Sequence, residues 1–434
     1  MTVRYALDVT RLFIGALRRT PRGIDRVEFE YAKHFFAPGR DDCVGIVGTP
    51  WGTRVFDADR VRRGLVLLAD MWRETIDIEA DRTWLQLRDI LQRAQSGSPP
   101  PPARPPLLDR IFGSGPIKLV QLGAVTQSYG QSALRQLPQG AVYLNVGQSG
   151  LAVPMFQRWL TKRPDIKPIF MLHDVIPVTS PEFVSVREAK MHAIMVEQTA
   201  RHAHGLIVTT AAAREPIVAE LARCGKGEMP ILTLPLPIPS VFSSHVPDAE
   251  EQELLAKPYF VVCGAIEPRK NHALLLNIWK EFVAEFGTRA PRLVIVGSPG
   301  WGSGSVIHSL RQNLSLLQSA TIVAGLSSPA MMRLISGARA LLMPSFAEGF
   351  GLPIVEAQAL GTPVVASDIG PHREIGGDTA TFLNPNDGPG WKAAILRLAS
   401  EDATQIERRP KPAPWSWDDY FLALSAFLDR SQAN

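Results

Sequence analysis

Residues 341–374 read LLMPSFAEGFGLPIVEAQALGTPVVASDIGPHRE, and this stretch decides the fold. The apolar run 341–344 is too short for a helix and reads as a buried strand. A Gly-rich turn follows, Glu348-Gly349-Phe350-Gly351-Leu352. Pro353 then falls where a helix takes its first residue, and its missing N–H costs nothing there. The helix should stop at Gly361, a residue suited to the left-handed C′ conformation, and residues 363–366 begin a second buried strand. The unit is strand–turn–helix–strand, with free backbone N–H groups at the helix start, and such a helix start binds anions.

Glu348 and Glu356 bracket the turn. An ionised carboxylate only accepts hydrogen bonds, and its two oxygens suit a pair of sugar hydroxyls. Glu356, expected in the first helical turn, is equally an acid of the kind the helix dipole favours. Glu348 precedes a Gly-x-Gly turn, so that explanation fits it less well.

The second half of the chain repeats the α/β alternation. Residues 259–263 form a strand, Gly264 to Pro268 a turn, and Asn271 the expected N-cap of a helix over 273–285. Between them stand Arg269 and Lys270, two cations at a helix start that already carries positive charge. Side chains turned to water would make this cheap, whereas a bound anion would reverse its sign. Arg269 can grip phosphate through two donors while Lys270 acts as a point charge. Residues 293–296 form a further strand, and the glycines of the 297–304 segment lack dinucleotide-fingerprint spacing. Another strand is expected over 321–325, with a turn over 326–329.

In the first half, strands are expected at 5–9, 142–146, 168–172 and 205–209, with an amphipathic helix over 23–36. The 168–172 strand runs into His173-Asp174-Val175-Ile176-Pro177, at the carboxyl edge where open α/β sheets bind ligands. A lone buried His is more often structural than functional. Ser185 and Glu188 make a capping box for a helix ending near His202. His192, His202 and His204 have no acid or thiol at ligand spacing, so no metal site is expected. Asp57-Ala58-Asp59 reads as surface, because no apolar strand leads into it, and residues 72–94 read as helical. Residues 95–106 are a Ser/Gly- then Pro-rich insertion.

The 434 residues imply more than one domain. With 45% hydrophobic and 20% charged residues there is enough apolar material for cores. A formal net charge of +4 without long like-charge runs argues against nucleic acid as a partner. Three scattered cysteines, no signal-peptide pattern and no long apolar run point to a cytoplasmic protein without a membrane span. The basic loop 18–26, beside Leu12, Phe13 and Leu17, suits a peripheral contact with an anionic membrane surface at the inner face.

Glu348, Glu356 and the intervening Gly-Phe-Gly-Leu-Pro resemble the signature of the retaining family-4 glycosyltransferases, which have the GT-B fold. The resemblance extends over 259–430, is weaker over 168–240 and is thin before 150. It implies two Rossmann-like α/β domains facing across a cleft: an acceptor-binding domain over 1–240, a linker over 241–257 and a nucleotide-sugar domain over 258–412. The final helix, within 413–434, would cross back onto the first domain. It further implies that Arg269, Lys270, Gly264, Gly23 and the turn Gly349, Phe350, Gly351 and Leu352 hold the donor diphosphate. Glu356 would take the ribose, Glu348 the donor sugar, with His173 near that sugar and Asp174 near the acceptor, or the two exchanged. Gly300-Trp301 is similar to members that use GDP-mannose. The implied activity is metal-independent transfer of a hexose, mannose foremost, to a saccharide or lipid-linked saccharide in cell-surface polysaccharide assembly, with no cofactor. Other GT-B reactions, such as epimerisation, or nucleotide-sugar binding without turnover, remain alternatives.

Overall fold

The computed structural model describes residues 3–15, 21, 23–49, 52–72, 77–92, 131–242, 258–401 and 416–433. The basic loop apart from Pro21 and residues 23–26, the Pro-rich insertion, and most of the linker lie outside them. Among the described residues two sheets form, of eight and six strands.

The first sheet is ordered β4-β3-β2-β1-β5-β6-β7-β8. Its central strands are β1 (Tyr5–Asp8), β2 (Cys43–Thr49), β5 (Val142–Asn145), β6 (Lys167–Leu172), β7 (Gly205–Val208) and β8 (Ile231–Thr233), all parallel. Alternation along β6 buries Ile169 and Met171 on one face, Phe170 and Leu172 on the other, as expected of a strand covered on both sides. At one edge β3 (Gly52–Phe56) and β4 (Gln131–Ser132) run antiparallel, so this half is mixed rather than purely parallel.

The sequence shows no apolar strand before Asp57, and the strand that does lead into it, β3, carries no apolar run. Most of β3 is only half-buried, which removes the apolar run that would have marked it. Asp57 caps the following helix, Ala58–Met71, by accepting from Arg60 N at 2.8 Å, and Asp59 pairs with Arg62. Trp72 is the C-cap of that helix, so the 72–94 helix is corrected: the next α-helix is Arg82–Gln92.

The second sheet is all-parallel, in the order β11-β10-β9-β12-β13-β14. Its strands are β9 (Tyr259–Cys263), β10 (Arg292–Val296), β11 (Ala320–Val323), β12 (Ala340–Met343), β13 (Val364–Ser367) and β14 (Ala380–Leu383). The chain runs outward from β9 to β11 and then returns to place β12 on the other side of β9. This reversal leaves a crevice between the loops that follow β9 and β12, where doubly wound sheets bind their ligands.

Two segments cross between the halves. The helix Trp417–Ala433 buries Tyr420, Phe421, Leu424, Phe427 and Leu428 in the core of the first sheet, a stripe at helical spacing. Polar ties reinforce it: Tyr420 and Tyr31 hydroxyls are 2.7 Å apart, and Lys167 and His204 both reach the Ser431 carbonyl at 3.1 Å. In the other direction, the Arg82–Gln92 helix buries Trp84, Leu87 and Leu91 against the second sheet. Asp81, fully buried at its start, accepts from Thr83, Trp84 and, at 2.9 Å, from Ser327 N beyond β11. Residues 77–92 therefore belong by packing to the second sheet, although they precede most of the first in sequence.

Candidate functional site

The crevice between β9 and β12 holds three charged side chains that the sequence separates by nearly eighty residues. Glu348, just past β12, accepts from Arg269 at 2.8 Å through Oε2, and from Lys270 and Ser345 Oγ (2.7 Å) through Oε1. Its side chain is 8% exposed. Burial works against its charge, but Lys270 and then Arg269 outweigh burial and hold the carboxyl well below the usual carboxylate range. Arg269, for its part, is desolvated, yet Glu348, Asp174 and Glu267 keep it firmly cationic. An ionised carboxylate has about four lone-pair positions. Three are taken here, so Glu348 retains room for one further donor, where the sequence suggested two.

The local backbone explains how the cations reach this point. Gly264 has φ +135°, and a Cβ there would stand 3.1 Å from Lys270 Cε, so the glycine makes space for the lysine stem. Asn271 is the N-cap residue, as expected, but its side chain does not cap: the backbone sits in the left-handed region (φ 54°) and the amide donates to Pro385 O at 2.9 Å. The helix His272–Phe286 begins without a side-chain cap, and Arg269 and Lys270 occupy a 3-10 turn before it, directed into the crevice. Phe346 N bonds Arg269 O at 2.8 Å, tying the two loops together.

The helix after the turn is Leu352–Ala359, capped by Gly351 at φ 109°. Among the described residues, the N–H groups of Gly349, Phe350, Gly351 and Leu352 have no acceptor. Glu356 is its fifth residue, so it lies beyond the first turn, correcting the expected position. It is buried and faces Arg26. Burial raises its carboxyl above the ordinary value, and Arg26 opposes that.

Across the cleft, β6 delivers His173 and Asp174 against the turn. A Cβ on Gly349 would overlap the His173 carbonyl oxygen and stand 2.9 Å from Asp174 Cβ, so only glycine fits. His173 is buried and neutral near pH 7, pulled down to about 4 by desolvation, with Nε2 3.2 Å from Val146 O. Asp174 accepts from Ile176 N at 3.1 Å. Gly23 opens the first-half helix Gly23–Phe35, and a Cβ there would come 2.7 Å from Leu352 Cδ1. Thr210, past β7, donates to Gly349 O at 3.0 Å, and Ala211 and Ala212 N–H groups hold the Glu374 carboxylate. The turn at 349–352 is thus touched by both halves.

Four contributors escape sequence reasoning: Ser345, Arg26, Thr210 and His372. His372 is fully buried; its Nδ1 bonds the Ser367 carbonyl at 3.0 Å, and Nε2, unpartnered, lies near Gly351. Because a carbonyl only accepts, Nδ1 carries the proton and Nε2 is an acceptor. Ser345 stands only three residues before Glu348, and the other three reach this region through the fold.

The fold and crevice define a two-sheet, GT-B-type protein with an anion-directed site between its halves. Residues 257–401 match the family model "Glycosyl transferases group 1". The curated relatives include bacterial mannosyltransferases and D-inositol 3-phosphate glycosyltransferases. The serotype-specific mannosyltransferase WbdA of Escherichia coli is 30% identical over 54% of this chain and 29% of its own length. The O-antigen chain mannosyltransferase B of the same organism is 31% identical over 38% of this chain and 43% of its length. The chain therefore spans less than half the length of these relatives. Among solved structures, Anabaena Alr3699/HepE, crystallised with UDP and glucose, aligns over 99% of this chain and 98% of its own with a TM-score of 0.55 at 15% identity, a likeness of fold. Among the described residues no helix is long and apolar enough to cross a membrane.

Proposed function

We propose that the chain is a retaining glycosyltransferase that moves a hexose, mannose from GDP-mannose foremost, onto a saccharide or lipid-linked saccharide during cell-surface polysaccharide assembly. The observation that carries this is the Arg269–Lys270–Glu348 cluster at the switch point of the second sheet, next in the chain to the N–H groups of 349–352, which have no acceptor among the described residues. The group 1 domain match and the mannosyltransferase relatives support the donor class. The UDP and glucose named with the Anabaena structure support a nucleoside diphosphate sugar more broadly.

Departure of a nucleoside diphosphate builds negative charge on the leaving oxygen. Arg269, Lys270 and the turn amides stabilise that charge with preorganised donors, the role a divalent ion would otherwise fill. Glu348 orients the donor sugar through its remaining lone pair and stabilises positive charge near the anomeric carbon. Glu356 takes the ribose. His173, neutral and buried, borders the sugar, and Asp174 the acceptor side. Acceptor attack on the face the leaving group vacates retains configuration without a covalent enzyme intermediate. The basic loop before Arg26 offers peripheral contact with an anionic inner-membrane face.

The test is incubation with GDP-mannose, UDP-glucose and UDP-N-acetylglucosamine in the presence of EDTA, following nucleotide release and the anomeric configuration of the product. Release from one donor, stimulated by a saccharide acceptor and yielding the donor's own anomeric configuration, is expected. Sugar interconversion would make the chain an epimerase. Binding without release would make it a carrier, and no binding at all would overturn the donor site.

A further inference from the structure

Arg26 is the fourth residue of the Gly23–Phe35 helix, in the first half, yet its charge is matched 330 residues away in the second. Its Nη1 donates to Glu356 Oε1 at 2.7 Å, and the two side chains are 14% and 6% exposed. The guanidinium lies over the ring of Phe242, 5.5 Å from the centroid, and Phe242 is itself fully buried in the core of the second sheet. Burying an ion pair is costly unless its geometry is good, and its net stabilisation is often small. A pair of this kind is better explained by what it holds in place. Only one Glu356 oxygen is engaged by Arg26; Oε2 has no hydrogen-bond partner among the described residues.

We infer that Arg26 is a positioning residue of the donor-nucleotide site: seated on Phe242, it keeps the Glu356 carboxylate charged and turned so that Oε2 accepts from a ribose diol. The inference rests on the assignment of Glu356 to the ribose made above. The groups set against Glu356 are few. Arg26 comes from the first-half helix, and from β9 comes the Cys263 thiol, which burial pushes up and so keeps neutral. Lys270 acts on that same thiol, but its bonded carboxylate is Glu348. Burial raises Glu356 and Arg26 opposes it, so loss of the cation shifts the group further toward its neutral form. The Gly23 contact with Leu352 places the start of the same helix against the phosphate-facing turn. One helix of the acceptor half thereby serves both ends of a nucleoside diphosphate.

The experiment measures GDP and UDP affinity by calorimetry from pH 5 to 8 for the parent, Arg26→Met, Arg26→Gln, Arg26→Lys and Glu356→Gln. Values are taken as ratios to the parent at each pH, which cancels titration of the nucleotide itself. Folding is checked by circular dichroism, and two neutral replacements guard against one that does not fold. Loss of an opposite charge at this distance moves a carboxyl by about 1–3 units, so the acid-side loss of affinity in Arg26→Met and Arg26→Gln should begin that much higher. Arg26→Lys should restore the parental pH dependence even where its melting temperature differs. A merely structural Arg26 would lower stability without moving the pH dependence. If Glu356→Gln weakens binding but the neutral Arg26 variants keep the parental pH profile, this inference fails and the donor-site assignment stands. If Glu356→Gln binds as tightly as the parent, the ribose assignment itself falls.

Discussion

Replacing Glu348 by Gln isolates the charge that the crevice is built around. Gln keeps the volume and can still accept a hydrogen bond, but Lys270 and Arg269 lose the carboxylate that both are bonded to. Removing one partner of a buried ion pair leaves an uncompensated charge and costs about 3–5 kcal/mol. A domain of this size loses about 2–4 °C of melting temperature per kcal/mol, so the second half should melt roughly 6–20 °C lower. The unpaired cations should then welcome another anion. A ligand at a hundred times its Kd contributes about 2.7 kcal/mol, and pyrophosphate should therefore raise the melting temperature of the variant more than that of the parent. The pH dependence has a fixed sign. A carboxyl depressed in the folded state contributes stability above its unfolded value, about 4.3, and loses it as pH falls through the folded value. The gap between parent and variant should persist from pH 8 down to about 5 and narrow below pH 4. Differential scanning fluorimetry with and without pyrophosphate reads all three effects. A variant melting within about 2 °C of the parent, with no added response to pyrophosphate, would refute the electrostatic account of the site.

Gly349→Ala should displace the turn from the His173 carbonyl, and misplacement by about 1 Å lowers turnover roughly a hundredfold; steady-state kinetics with the best donor measures it. Asp81→Ala leaves the buried N–H groups of Ser327 and Trp84 without their acceptor, at about 1–3 kcal/mol each. Its urea midpoint should fall clearly, whereas Asp59→Ala, which removes an exposed pair, should stay within about 0.5 kcal/mol. His173 and His272 are both pulled down to about 4 by burial. The unfolded chain takes up their protons first, near pH 6.5, so stability should fall as pH drops from 6.5 toward 4. His272→Asn should show a shallower fall in thermal melts over that range.

How far the sequence reaches is seen best in particular elements. The β9 range expected from its apolar run is the observed one, Tyr259–Cys263, and the capping box of the Val186–His202 helix is present with both of its bonds. β3 was missed, because an edge strand with one partly wet face loses the apolar run that marks a buried parallel strand. Asn271 stands at the expected N-cap position, but a left-handed backbone and a bond to Pro385 O take its side chain away from the helix N–H groups, which the local pattern does not show.

Local chemistry determined what could be read along the chain: which runs form buried strands, where helices stop, and that a Gly-rich turn and two cations each stand at a helix start. Those depend on neighbours within a few residues, where sequence spacing and spatial spacing coincide. Tertiary structure alone decided that Glu348 is held by Arg269 and Lys270. It alone seated Arg26 against Glu356 and carried Trp84 into the core of the opposite half. Such pairings join residues tens to hundreds of positions apart. Their energies arise only after the sheets have formed and water has left the cleft, so no local pattern in the chain encodes them.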